Sequence, residues 1–234
     1  MSFENRTVLV TGAAGNLGRA VATAFADRGA ALVLVARRRE ALEDTYGGEG
    51  DRLLFAPADL LDAQATEAAV ASAVARFGRI DALCALAGGF RMGEAVHETA
   101  DATWDLLLDI NARTLLHTVR AVVPHMLEAG GGRIVSVGAG VAQKGVARMG
   151  AYCAAKSAVI RLTEAMSAEL RENGINVNCV LPSIIDTPEN RAAMPDADPS
   201  RWVAPADLAE IILFLASDAA RAIHGAAVPV TGLS

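Results

Sequence analysis

TVLVTGAAGNLG, running from Thr7 to Gly18, decides how the chain folds. Thr7–Val10 is a β-branched, aliphatic run that reads as a strand, and Leu17–Arg28 carries a helical pattern. Gly12 and Gly15 stand between them, and Gly18 at the start of the helix, each with its own expected duty. Gly12 permits the tight turn, Gly15 lets the backbone approach a phosphate, and Gly18 allows the helix to lie close on the strand. The N-terminus of the helix, where Asn16 and Leu17 fall, presents unpaired N–H groups and a field that favours negative charge. Glycines in this pattern are a weak signal alone. A strand before them and a helix after them are what a pyrophosphate-binding turn requires.

The same alternation continues outward. Ala31–Val35, Leu53–Ala56, Ala82–Leu86, Arg133–Val137, Ile175–Val180 and Ala227–Val230 read as further strands. Helical patterns occupy Ala63–Phe77, Asp101–Glu128, Gly150–Glu172 and Pro205–Ala216. Strands separated by helices predict βαβ units and a parallel sheet, hence an α/β fold. Apolar runs such as ALVLVA and NVNCVL fit strands covered on both faces. With no repeat and no low-complexity linker, the 234 residues are expected to form one dinucleotide-binding and catalytic domain, 1–234. Gly88–Val96 and the irregular Pro182–Trp202 follow strands, at the end of the sheet where ligands of such folds bind, and the second has the length of a lid.

Composition narrows the function. The chain is 53% hydrophobic and carries a net charge of −6, which argues against a nucleic-acid partner. The arginines at 37–39 are too short a run to change that. No apolar run approaches the length of a membrane span, and the first residues show no signal-peptide pattern, so a soluble, cytoplasmic protein is expected. Cys84, Cys153 and Cys179 follow no metal spacing and read as buried reduced thiols. The four histidines form no pair of metal-binding spacing, and no metal is expected.

The second strand ends at Val35-Ala36-Arg37. A carboxylate here would bond the ribose 2′-hydroxyl of NAD; Ala36 offers none, whereas Arg37 could pair with a 2′-phosphate. NADP(H) is therefore favoured and NAD(H) remains open, the plainer reading of Arg37 being a solvated charge before the next helix. Asp59, with Leu60 beside it, ends the third strand. Its carboxylate could accept from an adenine amino group or cap the following helix. Tyr152 and Lys156, four residues apart, share one face of a helix. A free phenol titrates at about 10, and an ammonium beside it would favour the phenolate and lower that value.

Together TGAAGNLG, Asp59, Asn111, YCAAK and the loop from Pro182 resemble the short-chain dehydrogenase/reductase superfamily, in its order and spacing over essentially the whole chain. The resemblance implies a Rossmann-type doubly wound sheet of about seven strands, a small-molecule substrate and a homo-dimer or homo-tetramer joined through the two long helices. It implies Tyr152 as catalytic acid/base, Lys156 as its activator and ribose ligand, and Asn111 as holder of a proton-relay water. Pro182, Ile185 and Thr187 would meet the nicotinamide end. Ala87 and Gly88 match half of an Asn-Asn-Ala-Gly signature, with Ala85 and Leu86 in the asparagine positions and weaker polar bracing expected.

Other departures matter more. Asn16 stands where many members have glycine, a substitution expected to be tolerated because asparagine accepts a left-handed backbone. Ser183 replaces a glycine, and Ala139 occupies the position of the usual catalytic serine, 13 residues before Tyr152. Ser136 lies three strand residues away, about 10 Å at ~3.3 Å per residue, and is no obvious substitute. The missing serine, LAGGF and DTPENRAAMPDADPSRW are similar to the dihydropteridine reductase branch. The expected function is an NADP(H)-dependent oxidoreductase of a carbonyl or quinonoid substrate. A quinonoid dihydropteridine reductase and a non-catalytic NADP(H)-binding protein are the alternatives.

Overall fold

The computed structural model describes all 234 residues. Seven strands are observed: β1 (Thr7–Thr11), β2 (Ala31–Val35), β3 (Leu53–Phe55), β4 (Ala82–Ala85), β5 (Gly132–Val137), β6 (Ile175–Pro182) and β7 (Ala227–Val230). They form one sheet in the order β3-β2-β1-β4-β5-β6-β7, and every pairing is parallel. The helices are α1 (Asn16–Ala26), α2 (Arg39–Tyr46), α3 (Ala63–Phe77), α4 (Asp101–Leu108), α5 (Thr114–Glu128), α6 (Gly150–Leu170), α7 (Pro188–Ala193) and α8 (Pro205–Leu215). This is the doubly wound, Rossmann-type arrangement expected.

Alternation along the strands divides the core into two layers. Leu9, Val33 and Val35 face the layer built on α3, α5 and α6. Val8, Val10, Leu32 and Leu34 face α1, α2 and α8, with Phe25, Leu42 and Leu208 among the fully buried side chains. Because both faces are covered, the strands are near-continuously apolar. Cys84, Cys153 and Cys179 are free and buried, as expected.

Three local features refine the expectation. The helix after Arg37, given no bounds from sequence, is the short α2; only Leu42 on it is buried, so its apolar pattern is faint. The long helix from Asp101 is interrupted by a π-helical turn at Asp109–Arg113. Pro182–Trp202 is not structureless: it contains α7 and a 3₁₀ turn at Pro199–Arg201, and Trp202 is buried.

The strand order reverses between β1 and β4, where Thr11 lies opposite Ala85. That reversal opens a crevice at the carboxyl ends of the strands, the place where ligands bind in open α/β sheets.

Candidate active site

A cleft of about 520 Å³ occupies this crevice. It is lined by Gly12, Gly15, Asn16, Leu17 and Gly18 from the glycine turn, by Arg37, Asp59 and Leu60 from the ends of β2 and β3, by Ala87 and Gly88 after β4, and by Thr187. The structure thus gathers most of the cofactor residues expected from sequence. It adds Ile110 and Thr114, which the sequence reading passed over although both stand on the same helical run as Asn111, and Ala36, already read as offering no carboxylate, lines it too.

The glycine duties are visible as distances. Gly12 has φ +64°, a backbone open to glycine at no steric cost. A Cβ on Gly18 would stand 2.3 Å from the Gly12 carbonyl oxygen, so α1 could not approach the turn with any larger residue. Tyr46 reaches from α2 to donate to the Ala13 carbonyl at 2.7 Å, and burial pushes its phenol up to about 12. Asn16 corrects its expectation. It is the first residue of α1 rather than a left-handed turn residue, and its side chain is what matters. Nδ2 donates to Glu189 on α7 at 2.9 Å, and Oδ1 accepts from Arg19 at 2.9 Å.

At the far end of the cleft, Arg37 is exposed and belongs to none of the ion pairs of the chain, whereas Arg39 is taken by Glu43 and Glu49. Asp59 does not cap α3. Asp62 does, accepting from the N–H groups of Gln64 and Ala65, while Asp59 accepts from Leu61 at 3.0 Å within the loop.

The chemical end lies where α6 passes β5. Lys156 is buried, and its ammonium donates to the Val137 carbonyl at 2.8 Å. Burial lowers its pKa to about 8, the Cys179 thiol opposing weakly. Tyr152 is half-buried; the Phe90 ring meets it edge-on at 4.8 Å, and its hydroxyl makes no hydrogen bond within the chain. The expected lowering of its pKa is reversed. Burial raises the phenol to about 12, with a further small rise from Cys153, because the Lys156 ammonium is turned to Val137.

Gly88 lies against both Lys156 and Asn111: a Cβ there would stand 3.2 Å from Nζ and 2.7 Å from Asn111 Oδ1. Asn111 is buried in the π turn, and its amide staples the loop after β4. Oδ1 accepts from the Gly89 N–H at 3.2 Å; Nδ2 donates to the Gly89 and Leu107 carbonyls at 3.0 and 2.9 Å. The bracing expected to be weak at Ala85 and Leu86 comes from β1 instead, where Thr11 Oγ1 accepts from Leu86 and Ala87 at 3.0 and 3.1 Å. Ala139 is buried and supplies no hydroxyl. Ser136 is committed to Thr163 at 2.7 Å, so it does not replace the missing serine.

The late loop reaches the cleft through Thr187. Thr187 caps α7 by accepting from the Asn190 N–H at 3.2 Å, and the Ile185 carbonyl accepts from Asn190 Nδ2 at 2.8 Å. Pro182 closes β6 beneath it, and the Ser183 hydroxyl in the unusual position donates to the Thr231 carbonyl at 2.8 Å.

The family model for short chain dehydrogenases matches residues 6–198. The hydroxy(phenyl)methylsuccinyl-CoA dehydrogenase subunit BbsD of Thauera aromatica is 34% identical over 243 residues, covering 99% of this chain and 97% of its own length. The cis-4-hydroxycyclohexanecarboxylate dehydrogenase of Sinomonas cyclohexanicum is 35% identical over 241 residues, covering 99% and 97%. Among solved structures, the carveol dehydrogenase of Mycobacterium avium in complex with NAD is similar with a TM-score of 0.89 at 31% identity, covering 98% of this chain and 97% of that one. No helix of the chain is long and apolar enough to cross a membrane. With its strand–glycine turn–helix opening, its reversed strand order and a cleft whose Gly88 lies against Lys156, the chain belongs to the short-chain dehydrogenase family of oxidoreductases.

Proposed function

We propose that this enzyme transfers hydride between NADP(H) and the carbonyl or alcohol carbon of a small molecule, with Tyr152 as proton donor in the reduction. The observation that carries this reading is a half-buried phenol with an uncommitted hydroxyl, one helical turn from a buried ammonium, in a chain whose relatives are dehydrogenases.

The residues present fit a dinucleotide. Gly12 and Gly15 leave bare backbone at the start of α1, and Gly88 is a position that a Cβ would fill. When bound, the nicotinamide dinucleotide supplies or accepts the hydride. The unpaired Arg37 guanidinium suits a 2′-phosphate, and on that ground NADP(H) is preferred over the NAD seen with the carveol dehydrogenase. Asp59 and Leu60 border the adenine end, while the Thr187 hydroxyl, which accepts within α7, keeps its proton to donate toward a carboxamide.

For the chemistry, a phenol held at about 12 is protonated throughout the neutral range. It therefore carries the proton needed by a developing alkoxide, which is the stronger base, although its own acidity is weakened by burial. Lys156 supplies a positive charge behind it, and Asn111 and Thr11 hold the backbone that separates the pair from the glycine turn. Without a serine at 139 the substrate oxygen has one donor fewer. Loss of such a donor typically costs about 10²–10³ in rate, so the reading favours a carbonyl already activated by its own substituents. The alcohol named for the Sinomonas relative favours carbonyl chemistry over a quinonoid pterin.

Tyr152→Phe should lower turnover by at least about 10²–10⁴ while NADPH binds with unchanged affinity by fluorescence titration. Turnover at the wild-type rate would remove Tyr152 from the mechanism.

A further inference from the structure

We propose that the substrate carries a carboxylate, or a comparably compact anion, remote from its reacting carbon, and that Arg91 and Arg148 hold it. The proposal rests on the reading of Tyr152 as proton donor, since it places the anion beside that ring.

A shallow hollow next to Tyr152, of about 10 Å³, is lined by Arg91, Arg148 and Glu94 together with Thr103 and Leu107. Both arginines are exposed, so an anion would sit at its mouth, between their guanidiniums, rather than inside it. The two arginines come from different loops, the one after β4 and the one before α6. Neither belongs to any ion pair of the chain. Glu94, the one acid in the hollow, is already engaged: it accepts from the Thr103 hydroxyl at 3.1 Å and from the Ala100 N–H at 3.3 Å. Two guanidiniums against one committed carboxylate leave the hollow net positive in a chain of net charge −6. Positive charge collected in a cleft of an acidic protein steers anions to that cleft.

Arg148 is held in place before any ligand arrives. Its backbone has φ +60°, a left-handed conformation that side-chain-bearing residues rarely adopt. Its carbonyl accepts from the Gly93 N–H at 2.9 Å, and Nη1 donates back to the Gly93 carbonyl at 2.9 Å. That uses one of five guanidinium N–H groups and leaves the rest to donate. Arg91 hydrogen-bonds nowhere in the chain and is free to close on a carboxylate from the other side, the bidentate geometry for which a guanidinium is suited. On either side of Arg91 in the chain, Phe90 and Met92 are 56% and 50% exposed, and Phe90 already touches Tyr152. An apolar body resting there would join a carbonyl at Tyr152 to an anion at the arginines.

The test compares 4-oxocyclohexanecarboxylate with its methyl ester as substrates with NADPH. The wild type should prefer the acid, and Arg91→Gln should lower kcat/KM for the acid by about 10- to 100-fold, through KM, with the ester unchanged. Arg91→Lys should restore part of the loss, and added salt should weaken the acid alone. Equal turnover of acid and ester by the wild type, equal losses on both in Arg91→Gln, or reduction of neutral ketones with neither compound accepted would overturn the proposal. A binding measurement separates it from the catalytic reading. Calorimetry of cyclohexanecarboxylate against cyclohexanecarboxamide on the NADPH complex should show tighter binding of the anion, lost in Arg91→Gln and kept in Tyr152→Phe. No preference for the anion there counts against the site even if the reductase reading fails.

Discussion

At the scale of single residues the site is governed by burial. Lys156 has its pKa depressed to about 8 from an ordinary 10.5, so its charge is a cost to the fold. Both folded and unfolded chains carry that charge below pH 8, and the cost is present in full. Between pH 8 and 10.5 the folded state releases the proton first, and the cost is relieved as pH rises. Lys156→Met should therefore be more stable than the wild type at pH 7, by about 1–3 kcal/mol after loss of the bond to Val137. In urea denaturation the gap should close as pH rises through 8 toward 10. A gap independent of pH would mean that the ammonium is better solvated than its burial implies. Arg37 poses the opposite case, an exposed guanidinium with nothing of its own to bond. If it binds a 2′-phosphate, Arg37→Ala should weaken NADPH by about 10- to 100-fold and leave NADH unchanged, as read by fluorescence titration of both.

At the scale of elements, two contacts position the site. The π turn at Asp109–Arg113 carries Asn111 to the Gly89 loop, and such one-turn widenings are frequent at functional sites. Nothing in DINAR marks it, for the turn contains neither glycine nor proline; the long helix was legible, its interruption was not. The second contact is the Arg19–Asn16–Glu189 bridge, which ties the glycine turn to α7. Asn16→Ala should speed NADPH release by about 2- to 10-fold in stopped-flow fluorescence, the range of one net hydrogen bond. An unchanged rate would mean that this bridge does not hold the nucleotide in the cleft.

At the scale of the whole molecule, the reversal of strand order between β1 and β4 makes the cleft, and binding there couples to global stability. NADPH at 100 times its Kd should stabilise the fold by about 2.7 kcal/mol, a rise in Tm of about 5–10 °C for a chain of this size; no shift would exclude the cleft as a dinucleotide site. What the amino-acid order determined alone were features of short range. Strand and helix periods gave the parallel sheet, the strand and helix around Gly12, Gly15 and Gly18 located the turn, and i, i+4 spacing put Tyr152 and Lys156 on one helix face. The tertiary structure alone decided what those residues are like. Phe90 covers Tyr152, Val137 draws the ammonium away, Thr11 braces β4 where the asparagines are missing, and Arg91 and Arg148 line one hollow with Tyr152. Burial and electrostatics depend on distances between residues far apart in the chain, and no local window of sequence contains those distances.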